Sequence, residues 1–542
     1  MRMGLMQRRP LMISDLLRHA ETAHGNREIV SRLVDEPIWR YQYGDMARRC
    51  SRAANMLRRF GVGPGDVVTS LAWNTHRHLE LFYAVPGIGA ILHTANPRFS
   101  DEQIIYTTNH AQSKVLFFDK TFSPLIQRIR PQLQYVQHFV ALTQHARVGA
   151  AVDGTYEMLV EDESDVLDWP LFDEDAGAFL CYTSGTTGKP KGVLYSHRSV
   201  ILHAMAASLA SAFGVSAFDC IMPCQSLYHA TAWGLPFVAL LNGCKFVLPC
   251  DKFDGASLQE LIKKEAVTFS GGVPTIWTTY LAHLEASGDD AGALQRVVIG
   301  GSAVPRAMAE TFLQRYGVKV LQIWGMTETS PLGVMSTPTP SLLSRGTDAM
   351  NDVLLNRQGR LQFGIELKIV GEKGEPLPRD GVSAGALHVR GPWTVERYFR
   401  SDSPAVDEDG WFNTGDIATI DCDGYLRLTD RAKDVIKSGG EWISSIDIEN
   451  IVAGCPGVKI AAVVGVAHPK WEERPLLLVE LHEGVVLKHE QVLAFLAPHI
   501  PKWWMPDVVI FDTVPLTATG KVEKKLLRDR YCDYLLRREG QD

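Results

Sequence analysis

The chain has 542 residues, too many for one hydrophobic core, so two or more domains are expected. Its 46% hydrophobic and 22% charged residues exclude a disordered or low-complexity polypeptide. A net charge of −7 argues against a nucleic-acid binder, which would carry a basic excess.

The N-terminal "MRMGLMQRRPLMISDLL" is basic, but Arg8, Arg9 and Pro10 interrupt any signal-type apolar core. Residues 15–60 mix helical periodicity ("SDLLRHAETAH", "DMARRCSRAANMLRRFG") with short strand-like runs. "DVVTSLAW" followed by "HLELFYAVPGIGAILHTAN" reads as strand, helix, strand. The alternation continues through "VLFFD", "HFVAL", "AFLCYTS", "DCIMPC", "KFVLPC", "VTFSGGV", "RVVIGGS" and "KVLQIWGM". "SVILHAMAASLASAFG" (199–214) and "RAMAETFLQRYG" (306–317) are predicted helices between them. This pattern predicts an α/β fold with largely parallel sheets in two subdomains. From about residue 360, "FGIELKIV", "GALHVRG", "WFNTGDIATID" and "GYLRLTD" are short strands joined by turns, which predicts a small antiparallel barrel. A charged stretch after Asp430 precedes a compact α+β pattern. The expected division is an N-terminal domain over 1–431 and a small, mobile C-terminal domain over 432–542.

The most apolar long segment, "TAWGLPFVALLNGCKFVL" (231–248), contains Pro236, Asn242 and Lys245 and is too short and broken to span a bilayer. Nine cysteines, odd in number and without a C-x-x-C pair, fit a reducing cytoplasm, with Cys220 and Cys224 read as structural. The expectation is a soluble cytoplasmic protein with at most peripheral membrane contact and no nucleic-acid partner, and a homodimer is left open.

The stretch "YTSGTTGKPKGV" (182–193) crowds glycines, lysines and hydroxyls together after the strand-like "FLCY". Gly185, Gly188 and Pro190 break regular structure, so the loop turns tightly or approaches a ligand. Backbone N–H groups, hydroxyls and lysines at a strand end suit a phosphate. A solvated surface turn is the plain alternative. The NTPase P-loop does not fit, because Gly185 and Gly188 are too close and Lys189 precedes Pro190.

Further segments follow in order: "YHATAWGLP" with His229 and Trp233, "GGSAVP" after a buried strand, and "QIWGMTETSP" with Thr327 and Glu328. "WFNTGDIA" with Asp416, "DRAKDVIKSGGEWIS" and "PLTATGKVEKKLLR" with Lys521 complete the series. In this order and spacing, nearly the whole chain resembles the adenylate-forming superfamily of acyl-CoA synthetases, peptide-synthetase adenylation domains and luciferase-like enzymes. "YSHRS", "AWGLP", "IKSGGEWIS" and "HPKWEERPL" are similar to the medium- and long-chain fatty acyl-CoA synthetases.

The resemblance implies ATP and coenzyme A as cosubstrates, Mg²⁺ as cofactor and a small carboxylic acid as acceptor. It assigns ATP phosphates to Thr183, Ser184, Gly185, Thr186, Thr187, Gly188 and Lys189 (or Lys191), and Mg²⁺ to Thr183 and Glu328, hard oxygen ligands. Trp324 would stack on adenine, where tyrosine is usual. Gly301, Ser302, Gln322 and Thr327 would line the nucleotide, and Asp416 would accept both ribose hydroxyls. Arg431 would reach the ribose or phosphate. His229 would sit beside the α-phosphate and the substrate carboxylate. Ala230 and Trp233 would belong to the acyl pocket, with Trp233 as its gate. Lys521 would bridge carboxylate and phosphate, and Lys433 would be the hinge. Rotation about it would bring Lys437, Gly439, Gly440 and Trp442 to the thioester step. Each has a bland alternative: a cap partner for Glu328, a surface turn for Asp416, core residues for His229 and Trp233, and a flexible loop for the glycines. The implied reaction activates a fatty acid through acyl-AMP. A short sulfur-containing, aromatic or steroid side-chain acid is the alternative, as are a non-turnover acyl-AMP binder and a carrier-loading adenylation domain.

Overall fold

The computed structural model describes residues 3–145, 147–149, 151–183, 189–439, 441–517 and 521–539. A seven-stranded sheet runs in the order Gly154–Thr155, His138–Ala141, Ser113–Phe118, Val67–Leu71, Ile91–Thr94, Gly177–Thr183, Lys191–Ser196. All neighbours are parallel except the last pair, a hairpin in which Thr183 opposes Lys191. The central strands read "VVTSL" and "ILHT" and are buried throughout, as strands covered on both faces must be.

The second sheet begins with Trp39–Gln42 and Glu28–Ser31 and continues through the parallel strands Lys245–Leu248, Cys220–Pro223, Phe269–Gly272, Arg296–Gly300 and Lys319–Trp324. The strands expected as a separate antiparallel barrel are present but extend this sheet. Val334–Met335 pairs onto Lys319–Trp324, Gly359–Leu361 pairs onto Val334–Met335, and the ladder runs on to Tyr425–Arg431, Phe412–Ile420, Gly385–Arg390 and Glu366–Val370. The two short bridging strands, only 2 and 3 residues long, leave no periodic signal in the sequence. The third sheet, Glu441–Ile443, Ile436–Ser438, Glu472–Leu481 and Val458–His468 with Val508–Phe511 alongside, forms the small C-terminal α+β domain with its own core.

The helix predicted over 199–214 starts at His197, where the Ser196 hydroxyl accepts the Ser199 N–H, and stops at Ser208. Leu209 turns extended, and Phe213, 1% exposed, folds back into the core. Burying an aromatic outweighs the few tenths of a kcal/mol per residue that helix propensity offers.

Helix His76–Gly87 is buried along its whole length, although its first turns carry His76, Arg77, His78 and Glu80. Arg77 pairs with Glu36 at 2.8 Å and Glu157 at 2.6 Å, and Arg49 pairs with Glu80 at 2.7 Å. Tyr156 donates to the same Glu80, and His78 Nε2 meets the Ser70 hydroxyl. These bonds lock helices Tyr43–Arg59, His76–Gly87 and Tyr156–Glu161 against the sheet.

Parallel strands Phe269–Gly272, Arg296–Gly300 and Lys319–Trp324 end at one edge, where open α/β sheets form their ligand crevices. There, the loop after Trp324 folds back so closely that a Cβ on Gly325 would lie 1.4 Å from the Pro331 carbonyl oxygen. Gly325→Ala is therefore expected to lower stability by about 1–3 kcal/mol or more, read as a fall in the urea midpoint. An unchanged midpoint would show that this loop is free to yield.

Candidate active site

Two carboxylates anchor the crevice. Asp416, on strand Phe412–Ile420, is 2% exposed. Its Oδ1 pairs with Arg431 Nε at 2.9 Å, and its Oδ2 accepts the Trp324 indole N–H at 2.9 Å. Burial raises its pKa, while the Arg431 charge and the Trp324 donor act against that rise. Glu328, 7% exposed, lies in the 3₁₀ turn Thr327–Thr329. The Tyr398 hydroxyl donates to its Oε1 at 2.9 Å, and burial raises its pKa as well. Tyr195 donates to the Thr327 carbonyl at 2.5 Å and so ties strand Lys191–Ser196 to this turn.

The cation comes from the C-terminal domain. Lys521 is tied to Thr517, its carbonyl accepting the Thr517 N–H at 2.6 Å and its own N–H meeting the Thr517 hydroxyl at 3.2 Å. Its Cε lies 3.7 Å from where a Cβ on Gly301 would be. Burial, and then the Arg431 charge, push its pKa down to about 8, against the pull of Asp416 and Glu328. Burial and the Lys521 charge push His229 down to about 4, so its imidazole is neutral at neutral pH. The structure thus brings together Lys521, His229, Gly301, Asp416, Arg431, Trp324 and Glu328. A fixed cation and a neutral imidazole beside buried carboxylates suit a polyanion that also presents hydroxyls.

Beyond His229 the backbone runs left-handed, with φ of 41° at Ala230, 43° at Thr231 and 54° at both Ala232 and Trp233. For L-residues this costs about 1–2 kcal/mol each, roughly 4–8 kcal/mol together. Gly234, at φ 77°, completes the turn, and a Cβ there would lie 2.5 Å from His203 Cε1. The Gln225 side-chain amide donates to the Ala232 carbonyl at 2.9 Å. Trp233 is 5% exposed within this turn. Strain that survives in a buried segment marks a functional position.

Other expected residues lie elsewhere or serve other partners. Ser184, Gly185, Thr186, Thr187, Gly188 and Gly440 lie outside the described residues. Thr183 ends its strand, which packs against the Glu328 turn. The Lys189 ammonium sits over the Tyr106 ring at 5.1 Å, whereas Lys191 lies over Tyr398, the partner of Glu328, at 4.7 Å. Ser302 is exposed just beyond strand Arg296–Gly300. Gln322 directs its amide at the carbonyls of Leu354 and Leu355, bracing helix Thr347–Asn356. Lys437 and Trp442 pair across a C-terminal hairpin, and the Gly439 N–H donates to the Trp471 carbonyl. Lys433 lies in the turn after Arg431 with its side chain largely in solvent, its pKa lowered by partial desolvation of the ammonium and by the nearby charges of Arg528, Arg431, Lys525 and Lys524. Tyr398, Gln225 and His203 carry no motif and were invisible in the sequence, and Tyr195, which opens "YSHRS", gave no sign of its bond to the Glu328 turn.

Two measurements test this geometry. With Lys521 cationic only below about pH 8, kcat/KM for nucleotide chemistry should fall as pH rises through that value. Lys521→Arg, which stays charged, should remove the alkaline limb. A limb at the same pH in that variant would assign it to another group. Trp324→Phe deletes a donor to a charged acceptor, worth about 1.5–3 kcal/mol, so ATP affinity should fall about ten- to a hundredfold by calorimetry. Equal affinity would mean that the indole N–H does not set the position of Asp416.

The chain matches the AMP-binding enzyme family over residues 17–399 and the AMP-binding enzyme C-terminal domain over residues 447–521. It is 46% identical over 537 residues to a 3-methylmercaptopropionyl-CoA ligase of Ruegeria lacuscaerulensis, covering 98% of this chain and 99% of the relative. A medium-chain-fatty-acid–CoA ligase of Ectopseudomonas oleovorans is 43% identical, with 99% and 98% covered. A long-chain-fatty-acid–CoA ligase of Thermus thermophilus is 42% identical, with 97% and 96% covered. The fold matches the crystal structure of the anthranilate CoA ligase AuaEII in complex with anthranoyl-AMP, with a TM-score of 0.85 at 23% identity over 96% of this chain and 98% of that one. The chain belongs to the AMP-binding enzyme family.

Proposed function

We propose that this chain is an AMP-forming acid–CoA ligase that activates a fatty carboxylic acid through an acyl-AMP intermediate. The observation that carries this reading is Lys521, delivered by the C-terminal domain into the buried cluster of Asp416, Glu328, Arg431 and His229. In the first half-reaction a carboxylate oxygen attacks the α-phosphorus of ATP, and the bond to pyrophosphate breaks. Lys521 holds the carboxylate and phosphate oxygens together, so the protein supplies position and charge rather than a nucleophile. Asp416, already oriented by Arg431 and Trp324, accepts the ribose hydroxyls. Neutral His229 lies beside the reacting oxygens without adding charge. The loop over 184–188, with Lys189 and Lys191, receives the outer phosphates. Thr327, Gly301 and Ser302 frame the nucleotide, while Gln322 braces the neighbouring helix.

The residues fit Mg²⁺. Glu328 is buried and its pKa raised, so a counter-cation suits it, and Tyr398 occupies only one of its oxygens. With Thr183 it would hold the ion, which when bound offsets the charge of the departing pyrophosphate.

In the second half-reaction the coenzyme A sulfur bonds to the acyl carbon, the bond to AMP breaks, and the thiol proton passes to solvent. We assign this step to a rotated C-terminal domain (432–542) that carries Lys437, Gly439, Gly440 and Trp442, with Lys433 as the hinge. Relatives at 42–46% identity act on fatty acids and on 3-methylmercaptopropionate, and Ala230 and Trp233 form the acyl side of the site. Among the described residues no helix is long and apolar enough to cross a membrane. All nine cysteines are free, which suits a cytoplasmic enzyme. A homodimer is compatible with this reading.

The test measures pyrophosphate release and thioester formation separately over a panel of acids. Lys433→Pro should form acyl-AMP in a single turnover but lose acyl-CoA production by orders of magnitude, because proline fixes φ at the hinge. The turn's backbone bonds run from Ala432, Asp434 and Val435, so proline at 433 spares them. Wild-type thioester rates in this variant would exclude Lys433 as the hinge. No acid-dependent pyrophosphate release by the wild type with any acid would overturn the ligase reading itself.

A further inference from the structure

The mechanism above uses neither His203 nor Gln225, yet both are buried behind the reaction centre. His203, on helix His197–Ser208, is 2% exposed, and its Nε2 has no hydrogen-bond partner among the described residues. Gln225 is 4% exposed. Its Nε2 donates to the Ala232 carbonyl, which fixes the amide orientation and leaves Oε1 without a partner among the described residues. Buried polar groups are normally completed, and each exception calls for an explanation.

A continuous set of contacts joins both groups to the reaction centre. Lys521 Cε lies against Gly301, and a Cβ on Gly301 would be 3.1 Å from Val273 Cγ1. Val273 directly follows strand Phe269–Gly272, where Gln225 Oε1 lies 3.0 Å from a Cβ built on Gly271. Gln225 then grips the left-handed turn at Ala232, and His203 fills the space beside Gly234 at its far end. Gln225 and His203 thus touch the residues on either side of Trp233, the residue assigned above to the acyl side.

A saturated hydrocarbon tail offers neither group a partner. Gln225 Oε1 can only accept, so it calls for a donor such as a hydroxyl. His203, held neutral by burial with its pKa near 3, can donate to or accept from a hydroxyl, and can donate to a thioether. We propose that His203 and Gln225, set against the two ends of the left-handed turn, make this site prefer carboxylic acids whose chain carries a hydrogen-bonding heteroatom over plain alkanoates of equal length. This rests on the ligase reading above and names the substrate class within it. Sites built around buried polar groups discriminate strongly against analogues that leave those groups unpaired.

The experiment compares kcat/KM for matched acids in the full-length enzyme. One set comprises pentanoate, the thioether in which sulfur replaces one chain methylene, and the chain hydroxylated at the same carbon. A longer set repeats the substitutions on octanoate. The expected result is a wild-type preference of roughly tenfold or more for at least one heteroatom acid over its alkanoate. Gln225→Met and His203→Phe, close in shape to the native side chains, should each lower that ratio by a similar factor, Gln225→Met chiefly for the hydroxy acid. Calorimetric binding of ATP to each variant reports whether the fold is retained. Equal use of alkanoate and heteroatom acid by the wild type would overturn the inference, with water or the core completing both groups, while leaving the ligase reading intact. A preference that persists undiminished in both ATP-binding variants would likewise overturn the assignment to these residues.

Discussion

The site depends on taking two carboxylates out of water and then balancing them. An ionised group moved into the interior is strongly disfavoured unless charge and hydrogen bonds meet it there. Asp416 is met by Arg431 on one oxygen and the Trp324 indole on the other, and Glu328 by Tyr398. The remaining positive charge, Lys521, belongs to a different domain. The electrostatics of the larger domain are therefore completed by a residue of the smaller one. Docking the small domain and assembling a charge-balanced site become one event.

The scaffold is firm where that event needs a fixed frame. The Arg49–Glu80 and Arg77–Glu36 pairs, with Glu157 between the two arginines, bind three helices into one unit behind the sheet. Beyond His229 the chain instead holds four non-glycine residues in the left-handed region. Such a turn persists only because its surroundings overdetermine it, here through the Gln225 bond and the His203 contact.

Much of the architecture could be read along the chain. The strand–helix alternation and the positions of Thr183 at a strand end and of Gly301 and Glu328 in the turns that follow strands come from local patterns, because periodicity and glycine placement act over a few residues. The continuation of the second sheet through Val334–Met335 and Gly359–Leu361 was not legible, since strands so short carry no period. The stop of the helix at Ser208 was hidden for another reason: Phe213 finds its partners far away in sequence.

The sequence by itself determined the class of chemistry. Asp416, Glu328, Lys521 and the Gly-rich loop are side-chain and backbone types whose donors, acceptors and charges exist before folding. Only the tertiary structure decided which atoms meet: Trp324 Nε1 with Asp416, Tyr398 with Glu328, Lys191 rather than Lys189 beside that pair, and Gln322 turned to a helix end. These pairings span tens of residues and more, and nothing local selects them. They are chosen by packing, because each buried polar atom must take whichever partner the close-packed core leaves within hydrogen-bond reach.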